Sequence, residues 1–205
     1  MGETRLTAST QTDDALLEAF SRGEPAAARK LLARHIGSVL ALANRMLKDR
    51  GEAEDVAQET FLAAWKMASA WEPERAQFTT WLHKVAMNKC LDRLRKKKPE
   101  PMPEGMDVAS SALDPEADLL NGELGTRVNT AIQALPERQR AAISLSLHGQ
   151  LSNPEIAETL AVSVEAVESL LARARRTLKD RLRQDWLGLV GDMGDNHNVK
   201  ERIGK

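Results

Sequence analysis

Apolar residues recur at every third or fourth position through most of this chain, which is the spacing of amphipathic helices. Helix-forming residues dominate the composition, and aromatic residues make up only 3% of it. We therefore predict an all-α fold, with Asp13 or Asp14 as the cap of the first helix. The pattern places the helices at about residues 13–21, 26–47, 53–68, 79–98, 120–134, 137–147, 154–160 and 164–186.

A proline-rich segment separates these helices into two groups. Pro99, Pro101 and Pro103 each lack an amide donor and restrict the preceding residue, so helix formation stops there. From Pro99 to Glu123 the chain is acidic and contains no Lys or Arg. We predict two small helical domains joined by a flexible linker. The predicted parts are a disordered N-terminus (1–12), a first domain (13–98), an acidic linker (99–119), a second domain (120–187) and a flexible tail (188–205).

The end of the chain has the pattern of a helix-turn-helix. Ser152 and Glu155 have the spacing of a capping box before a short helix, and Ser163 is placed to cap the long helix that follows. That long helix is rich in arginine, which suits contact with DNA phosphates. The alternative is a solvated surface helix, and Glu168 is an acid on the expected reading face. The cations that favour DNA binding are Arg173, Arg175, Arg176, Lys179, Arg181 and Arg183.

A second basic helix ends the first domain, although the net charge of the chain is only −1. Its cations include Lys89 and Arg93, and three aromatic residues precede or begin it: Trp71, Phe78 and Trp81. Aromatic side chains beside a basic helix can hold unstacked bases. The alternative is that these aromatic residues belong to an ordinary core.

The helix over residues 53–68 has an acidic polar face. Asp55, Gln58, Glu59 and Leu62 lie at helical spacing, so this face is suited to a basic partner helix rather than to DNA. The alternative is a solvated face.

Catalytic and metal-binding chemistry is poorly supported. The four histidines are scattered, Cys90 is the only cysteine, and there is no glycine-rich phosphate loop or nucleophile elbow. We therefore expect neither an enzyme nor a metal or cofactor. The N-terminus lacks the apolar core of a signal peptide, and no apolar run is long enough to span a membrane, so we expect a cytoplasmic protein.

Three segments resemble the extracytoplasmic-function sigma factors, which are promoter-specificity subunits of bacterial RNA polymerase. They are EDVAQETFLAAW, FTTWLHKVAMNKCLDRLRKK and LPERQRAAISLSLHGQLSNPEIAETLAVSVEAVESLLARARRTLKDRL, in the family's order and across both domains. The resemblance implies an alternative sigma factor that directs promoter-specific initiation in response to stress. Its implied partners are the polymerase core (the β′ clamp coiled coil and the β flap), promoter DNA and an anti-sigma factor.

The resemblance also implies roles for individual residues. Those expected to dock on the polymerase core are Asp55, Gln58, Glu59 and Leu62. Those expected to capture a flipped base of the minus-ten element, or to face that element, are Trp71, Asn88, Lys89, Asp92 and Arg93. Those expected to read the minus-thirty-five element are Ser163, Glu165, Ala166, Ser169, Arg173, Arg175 and Arg176.

Two other hypotheses remain open at this point. One is a sigma-like decoy that sequesters an anti-sigma factor without binding DNA. Glu168 favours this hypothesis, because the chain has Val-Glu-Ser-Leu at residues 167–170 where many family members have Val-Lys-Ser-Arg. The other is an ordinary helix-turn-helix regulator whose first domain is a ligand sensor.

Overall fold

The computed structural model describes residues 11–72, 76–97, 122–148 and 151–195 of the chain. All regular structure within these ranges is helical, and the chain divides into two compact units after Lys98. The predicted all-α fold with two helical domains is confirmed. The predicted linker, residues 99–119, lies outside the described residues.

The first domain is built around one central helix, α2. This helix contacts the other three α-helices of the domain, and its side chains Leu31, Val39 and Leu42 are fully buried. Burial of each such side chain stabilises the fold by about 1.5–3 kcal/mol. The helices are α1 (Asp13–Ser21), α2 (Pro25–Leu47), α3 (Arg50–Met67), a short 3-10 helix (Ala68–Ala70) and α4 (Phe78–Lys97).

The start of the first domain differs from the prediction. Thr12, rather than Asp13 or Asp14, caps α1, and its hydroxyl accepts a hydrogen bond from the Ala15 amide at 3.2 Å. The Asp13 side chain contacts α2 and α4 instead, and that of Asp14 contacts Trp71, directly after the 3-10 helix. Gln11 also accepts a hydrogen bond from Lys30 at 3.0 Å, so residues 11 and 12 belong to the folded domain and not to the predicted disordered terminus. Residues 1–10 lie outside the described residues.

The buried face of α4 is rotated from the predicted one. The apolar spacing of this helix predicts an inward face of Trp81, Leu82, Val85, Ala86, Leu91 and Leu94. Of these, Leu82 and Ala86 are buried, and the other four are only half-buried. The helix lies against both α2 and α3, so its inward face is wider than one apolar stripe. The other residues that it buries are Phe78, Thr80, His83, Met87 and Cys90.

The second domain is built around α8, which contacts the three other helices of this domain. Ile132, Leu145, Ile156 and Val167 come from four different helices and are all buried. The helices are α5 (Gly122–Gln133), α6 (Glu137–His148), α7 (Asn153–Leu160) and α8 (Val164–Asp195).

The helix-turn-helix is formed by α7 and α8, and its local signals act as predicted. The carboxylate of Glu155 accepts hydrogen bonds from the Ser152 amide at 2.8 Å and from the Ser152 hydroxyl at 2.7 Å. Ala161 ends α7 in the left-handed region (φ 52°), and the Val162 amide donates back to the Ala157 carbonyl at 3.0 Å. Ser163 then caps α8 by accepting a hydrogen bond from the Ala166 amide at 3.2 Å. The predicted capping box and the predicted N-cap are therefore confirmed.

The last helix is longer than predicted. It continues to Asp195, so the predicted end near Trp186 and the predicted flexible tail from Gly188 were wrong for residues 188–195. Glycine weakens a helix, but it keeps its amide donor, and no proline interrupts residues 164–195. Residues 196–205 lie outside the described residues. No helix in the described ranges has an apolar stretch long enough to cross a membrane.

A buried arginine joins two helices of the second domain. Arg140 on α6 is only 7% exposed and donates to the carbonyl oxygens of Gln133 at 2.9 Å and Leu135 at 3.5 Å. These carbonyls lie at the C-terminal end of α5, where they have no partner within the helix. Burial lowers the pKa of Arg140. The guanidinium thus supplies the hydrogen-bond donors for the carbonyl groups at the C-terminal end of α5.

Candidate functional site

An open apolar groove lies between α2 and α3. It has a volume of about 360 Å³, and two of its leucines, Leu32 and Leu62, are 39% and 50% exposed. Leu32 shares the helical spacing of Leu31 and Val39, which predicts that it is buried with them, and this prediction is wrong. Of the predicted docking residues, Gln58 and Leu62 line the groove. The residues that line it are Leu32, Ile36, Leu40, Glu54, Ala57, Gln58, Phe61, Leu62 and Trp65.

The other two predicted docking residues lie on the side of α3 that meets α4. The Glu59 carboxylate is 3.0 Å from Lys89 Nζ and 2.6 Å from Arg93 Nη2. Arg93 also donates to the Glu52 carbonyl at 2.9 Å and lies 3.8 Å from Asp55. The structure therefore joins residues that the sequence had assigned to two different interfaces.

These contacts change the electrostatics of Glu59. The hydrogen bond from Lys89 is the largest cause of a lowered pKa of the Glu59 carboxyl; burial opposes it, and the charge of Lys89 and the hydrogen bond and charge of Arg93 add to the lowering. The side chains of Lys89 and Arg93 are only 28% and 22% exposed. Farther along, Lys97 pairs with Glu52 at 2.7 Å. The basic face of α4 is thus partly neutralised by α3.

The remaining minus-ten candidates on α4 face solvent. Asn88 is exposed, and Asp92 lies one turn later and pairs with Arg95. Each of them is followed in the chain by a cation that pairs with Glu59, namely Lys89 or Arg93, whose side chain points about 100° further round the helix.

The predicted aromatic residues form one cluster with a histidine. Trp71 packs edge-on against Phe78 and Trp81, with ring centroids 5.8 Å and 6.3 Å apart. Phe78 is 2% exposed and lies 5.6 Å from the ring of His35. Phe78 is therefore a core residue, whereas Trp71 and Trp81 keep part of their surface in solvent.

The first turn of α1 borders this cluster. Trp71 donates its indole N–H to Asp14 at 2.8 Å. Asp13 lies 2.8 Å from His35 Nε2, accepts a long hydrogen bond of 3.5 Å from the Thr79 hydroxyl, and pairs with Arg34. Burial alone would raise the pKa of Asp13, but the contacts with His35 and Arg34 outweigh it and lower the pKa.

In the second domain, the predicted reading residues lie on the first four turns of α8. Glu165 is exposed at the N-terminus of the helix, where its own amide and the Ser163 hydroxyl lower the pKa of its carboxyl. Ala166 and Ser169 are half-exposed. Arg173, Arg175 and Arg176 are exposed, and none of them forms an ion pair with the residues that the structure describes. Glu168 is exposed among them, as the sequence implied.

Prediction from the sequence did not identify several residues of these surfaces. Leu32 and Ile36 carry no charged or reactive group that would single them out in the sequence. A helix with more apolar residues than one face can bury nevertheless indicates a second contact surface. Asp13 and Asp14 were interpreted only as caps.

Cys90 is fully buried, and burial raises the pKa of its thiol to about 12. Within the described ranges, no group of three metal-ligating side chains forms a metal site.

Comparisons with known proteins agree with both domains. Residues 31–100 match the model of Sigma-70 region 2, and residues 126–178 match that of Sigma-70, region 4. The ECF RNA polymerase sigma factor SigW of Bacillus subtilis is 34% identical over 153 residues, which cover 69% of this chain and 81% of that protein. The RNA polymerase sigma-H factor of Pseudomonas aeruginosa is 31% identical, with 84% of this chain and 94% of that protein covered.

A solved structure agrees as well. The structure of CnrH in complex with the cytosolic domain of CnrY is similar to this chain with a TM-score of 0.60 and 28% identity. The match covers 85% of this chain and 99% of CnrH. The chain belongs to the extracytoplasmic-function (ECF) RNA polymerase sigma factors.

Proposed function

We propose that this sigma factor docks on RNA polymerase core through the groove between α2 and α3, and that it reads promoter DNA with α4 and α8. The observation that carries the docking proposal is the pair of exposed leucines in that groove, Leu32 and Leu62. Exposed apolar surface of this kind marks a place where a partner binds.

The chemistry of the groove favours an amphipathic, basic partner helix. Its floor is apolar, and the carboxylate of Glu54 stands at its edge, with Asp55 exposed nearby. An apolar helix face would fill the floor, and cations flanking that face would meet the carboxylates. The β′ clamp coiled coil of the polymerase, the partner implied by the family, has the helical form that this groove requires.

The two DNA-reading faces have different tasks in this proposal. The α8 face enters duplex DNA at the minus-thirty-five element, where its exposed arginines contact phosphates and residues 163–169 face the bases. The α4 face and the loop after Trp71 hold the minus-ten element. Opening the duplex costs a few kcal/mol for each unstacked base, and capture of a flipped base in a protein pocket offsets part of that cost.

Regulation through a protein partner follows from the family and from one relative. CnrH was solved in complex with the cytosolic domain of CnrY. We extend this to the present chain as an anti-sigma factor that covers the polymerase-docking surface until a stress signal releases it. Such a cycle takes place in the cytoplasm, where polymerase and promoter are found.

The docking proposal is tested with Leu62→Asp, which places a charge in the apolar groove. Leu62 is half exposed, so the fold tolerates the change, and we expect affinity for purified bacterial core polymerase to fall about tenfold or more. Ser69→Asp adds the same charge at an exposed position outside the groove and serves as the control. Binding is measured by fluorescence anisotropy of labelled protein. Equal affinity of the two variants would place the docking surface elsewhere.

Promoter selection is tested by run-off transcription from a pool of genomic fragments, with core polymerase alone and with core polymerase plus this chain. Discrete transcripts that require the chain are expected, and their upstream sequences define both promoter elements. Binding to core without any such transcript would favour the decoy hypothesis instead.

A further inference from the structure

A ladder of ion pairs joins α3 to α4 along one seam of the first domain. Its cations lie one helical turn apart on α4, and their carboxylate partners follow in reverse order along α3, so the two helices run antiparallel here. Arg93 occupies the middle of the ladder, where its two terminal nitrogens donate to the Glu59 carboxylate at 2.6 Å and to the Glu52 carbonyl at 2.9 Å. The pairs are Lys89 with Glu59, Arg93 with Glu59 and Asp55, and Lys97 with Glu52.

The last two turns of α4 lack the apolar anchor that holds the rest of this helix. Cys90 is the last buried residue of α4, and within residues 91–97 even Leu91 and Leu94 are only half-buried. Arg93 is the least exposed cation of the ladder, with 22% of its side chain in solvent. A guanidinium that engages a carboxylate and a backbone carbonyl together fixes both direction and distance, which a single ammonium does not. The position of these two turns therefore depends on the ladder, and mainly on Arg93.

We propose that Arg93 is a positioning residue for minus-ten recognition, which holds the last two turns of α4 on α3 so that the exposed Asp92 faces the element, and that it does not itself contact a phosphate. Asn88 does not depend on the ladder in this way, because it lies between the buried residues Met87 and Cys90. The proposal rests on the proposed function of the α4 face. It replaces the DNA contact that the family resemblance implied for Arg93 with an intramolecular one.

The other cation that shares Glu59 keeps a different role. Lys89 is held by one ion pair at 3.0 Å, through an ammonium group that can turn towards another anion. An ion pair of this kind contributes only about 0–1 kcal/mol. Lys89 is therefore the cation of this seam that can exchange Glu59 for a phosphate, while Arg93 keeps the helices together.

The intramolecular part of the proposal is tested in the free chain by hydrogen exchange of the peptide that spans residues 91–97, whose amides donate to carbonyls within α4. Arg93→Ala removes the guanidinium, Arg93→Lys keeps the charge on a single ammonium, and Lys66→Ala removes a charge at an exposed position of α3 outside the ladder. We expect exchange to rise about three- to tenfold in both Arg93 variants, the range of one net hydrogen bond, and to stay unchanged in Lys66→Ala.

Helix propensity does not explain such a rise, since alanine is at least as good a helix former as arginine. A rise in exchange therefore reports the lost contacts with α3. Unchanged exchange in Arg93→Ala, or slow exchange restored by Arg93→Lys, would overturn the proposal, whatever the chain does in transcription.

A phosphate contact by Arg93 is the alternative, and the salt dependence of DNA binding separates the two roles. The reconstituted holoenzyme is titrated at several salt concentrations with a single-stranded oligonucleotide of the minus-ten element of a promoter recovered from the run-off pool. Loss of one phosphate contact lowers the slope of log affinity against log salt by about 0.7 for a single strand. We expect Arg93→Ala and Arg93→Lys to lower the affinity about three- to tenfold with this slope unchanged. A slope that is smaller by about 0.7 in Arg93→Ala and is restored by Arg93→Lys would overturn the proposal.

Base selectivity shows whether Arg93 acts through Asp92. Oligonucleotides that carry each of the four bases at one position measure selectivity as a ratio of affinities, and Asp92→Ala and Asn88→Ala define the positions that each side chain reads. We expect Arg93→Ala to reduce the ratio about three- to tenfold at the Asp92 positions and to leave the Asn88 positions unchanged. The variant that combines Asp92→Ala and Arg93→Ala should be no less selective than the worse of the two single variants.

Two results would contradict the positioning role. One is a general loss of affinity in Arg93→Ala with all ratios preserved, and the other is additive losses in the double variant. An effect of Asn88→Ala without any effect of Asp92→Ala would also overturn the link to Asp92. If neither of these two variants changes any ratio, the proposed function of the α4 face fails, and the hydrogen-exchange result still decides whether Arg93 positions the end of α4.

Discussion

The cations of α4 and those of α8 differ in what they contact within the protein. On α4, Lys89 and Arg93 share the carboxylate of Glu59, with donor–acceptor distances of 3.0 Å and 2.6 Å. On α8, Arg173 and Arg176 are exposed and form no ion pair with any described residue. Both helices are basic by sequence, but Lys89 and Arg93 are already paired with Glu59, whereas these two arginines of α8 face solvent without such a partner among the described residues.

This difference shows that a high content of basic residues does not by itself make the cations of a helix available to DNA phosphates. A phosphate that approaches Lys89 or Arg93 must compete with Glu59, whereas one that approaches α8 meets guanidinium groups that form no ion pair within the part of the chain that the structure describes. Partly exposed ion pairs contribute only about 0–1 kcal/mol each, so the exchange is feasible when polymerase holds the DNA in place. The free chain is therefore expected to contact DNA mainly through α8.

The largest expected effect comes from removing cations on the two helices in matched pairs. Arg173→Ala with Arg176→Ala should lower the affinity of the free chain for duplex DNA about tenfold or more, because each phosphate contact contributes through counterion release. Lys89→Ala with Arg93→Ala removes the same charge, but should lower the affinity for duplex DNA by less than about threefold. Anisotropy titrations at several salt concentrations measure both. A similar loss of affinity in the two variants would contradict this distinction between α4 and α8.

A smaller effect is expected from Glu59→Gln, which leaves Lys89 and Arg93 without their shared carboxylate. Affinity of the free chain for single-stranded DNA should rise about three- to fivefold at low salt, since two cations become available to phosphates. Glu18→Gln changes the net charge equally at an exposed position outside the Glu59 ion pairs, and is the control. If the two variants bind alike, net charge rather than local pairing governs the affinity.

The smallest expected effect concerns acid stability of the first domain. The folded-state pKa of Asp13 is lowered, so its contacts with His35 and Arg34 stabilise the domain above the unfolded-state value of about 3.8, and this contribution is lost as the pH falls through the folded-state pKa. At pH 7, Asp13→Asn should cost about 1 kcal/mol or less, and this cost should shrink as the pH falls below about 3.8. Near-ultraviolet circular dichroism reports mainly on this domain, since it contains three of the four tryptophans of the chain: Trp65, Trp71 and Trp81. A cost that does not change with pH would remove Asp13 as its source.

The sequence predicted features that depend on neighbouring residues. The box formed by Ser152 and Glu155, and the cap at Ser163, follow from spacing within one helical turn, and all were found. The family resemblance located both domains, because two of its motifs lie in the first domain and the third lies in the second.

Contacts between distant positions were not predictable in this way. Glu59 and Arg93 lie 34 positions apart, and Asp14 and Trp71 lie 57 apart, so their pairing depends on how helices pack. Helical spacing marked Glu59 as exposed, but it did not show that α4 would reach it. Similarly, Leu32 has the spacing of a core residue, and only the packing of α2 leaves it in an open groove.

The burial of Cys90 has a practical consequence for physical studies of this chain. With a thiol pKa of about 12 inside the core, only about one molecule in 10⁵ carries the reactive thiolate at pH 7. A cysteine introduced at an exposed site such as Asn88 would react with a maleimide far faster than the native thiol. Fluorophores and cross-linkers can therefore be attached one at a time with the native core left intact, and the distance between the two domains can be followed as the chain binds polymerase.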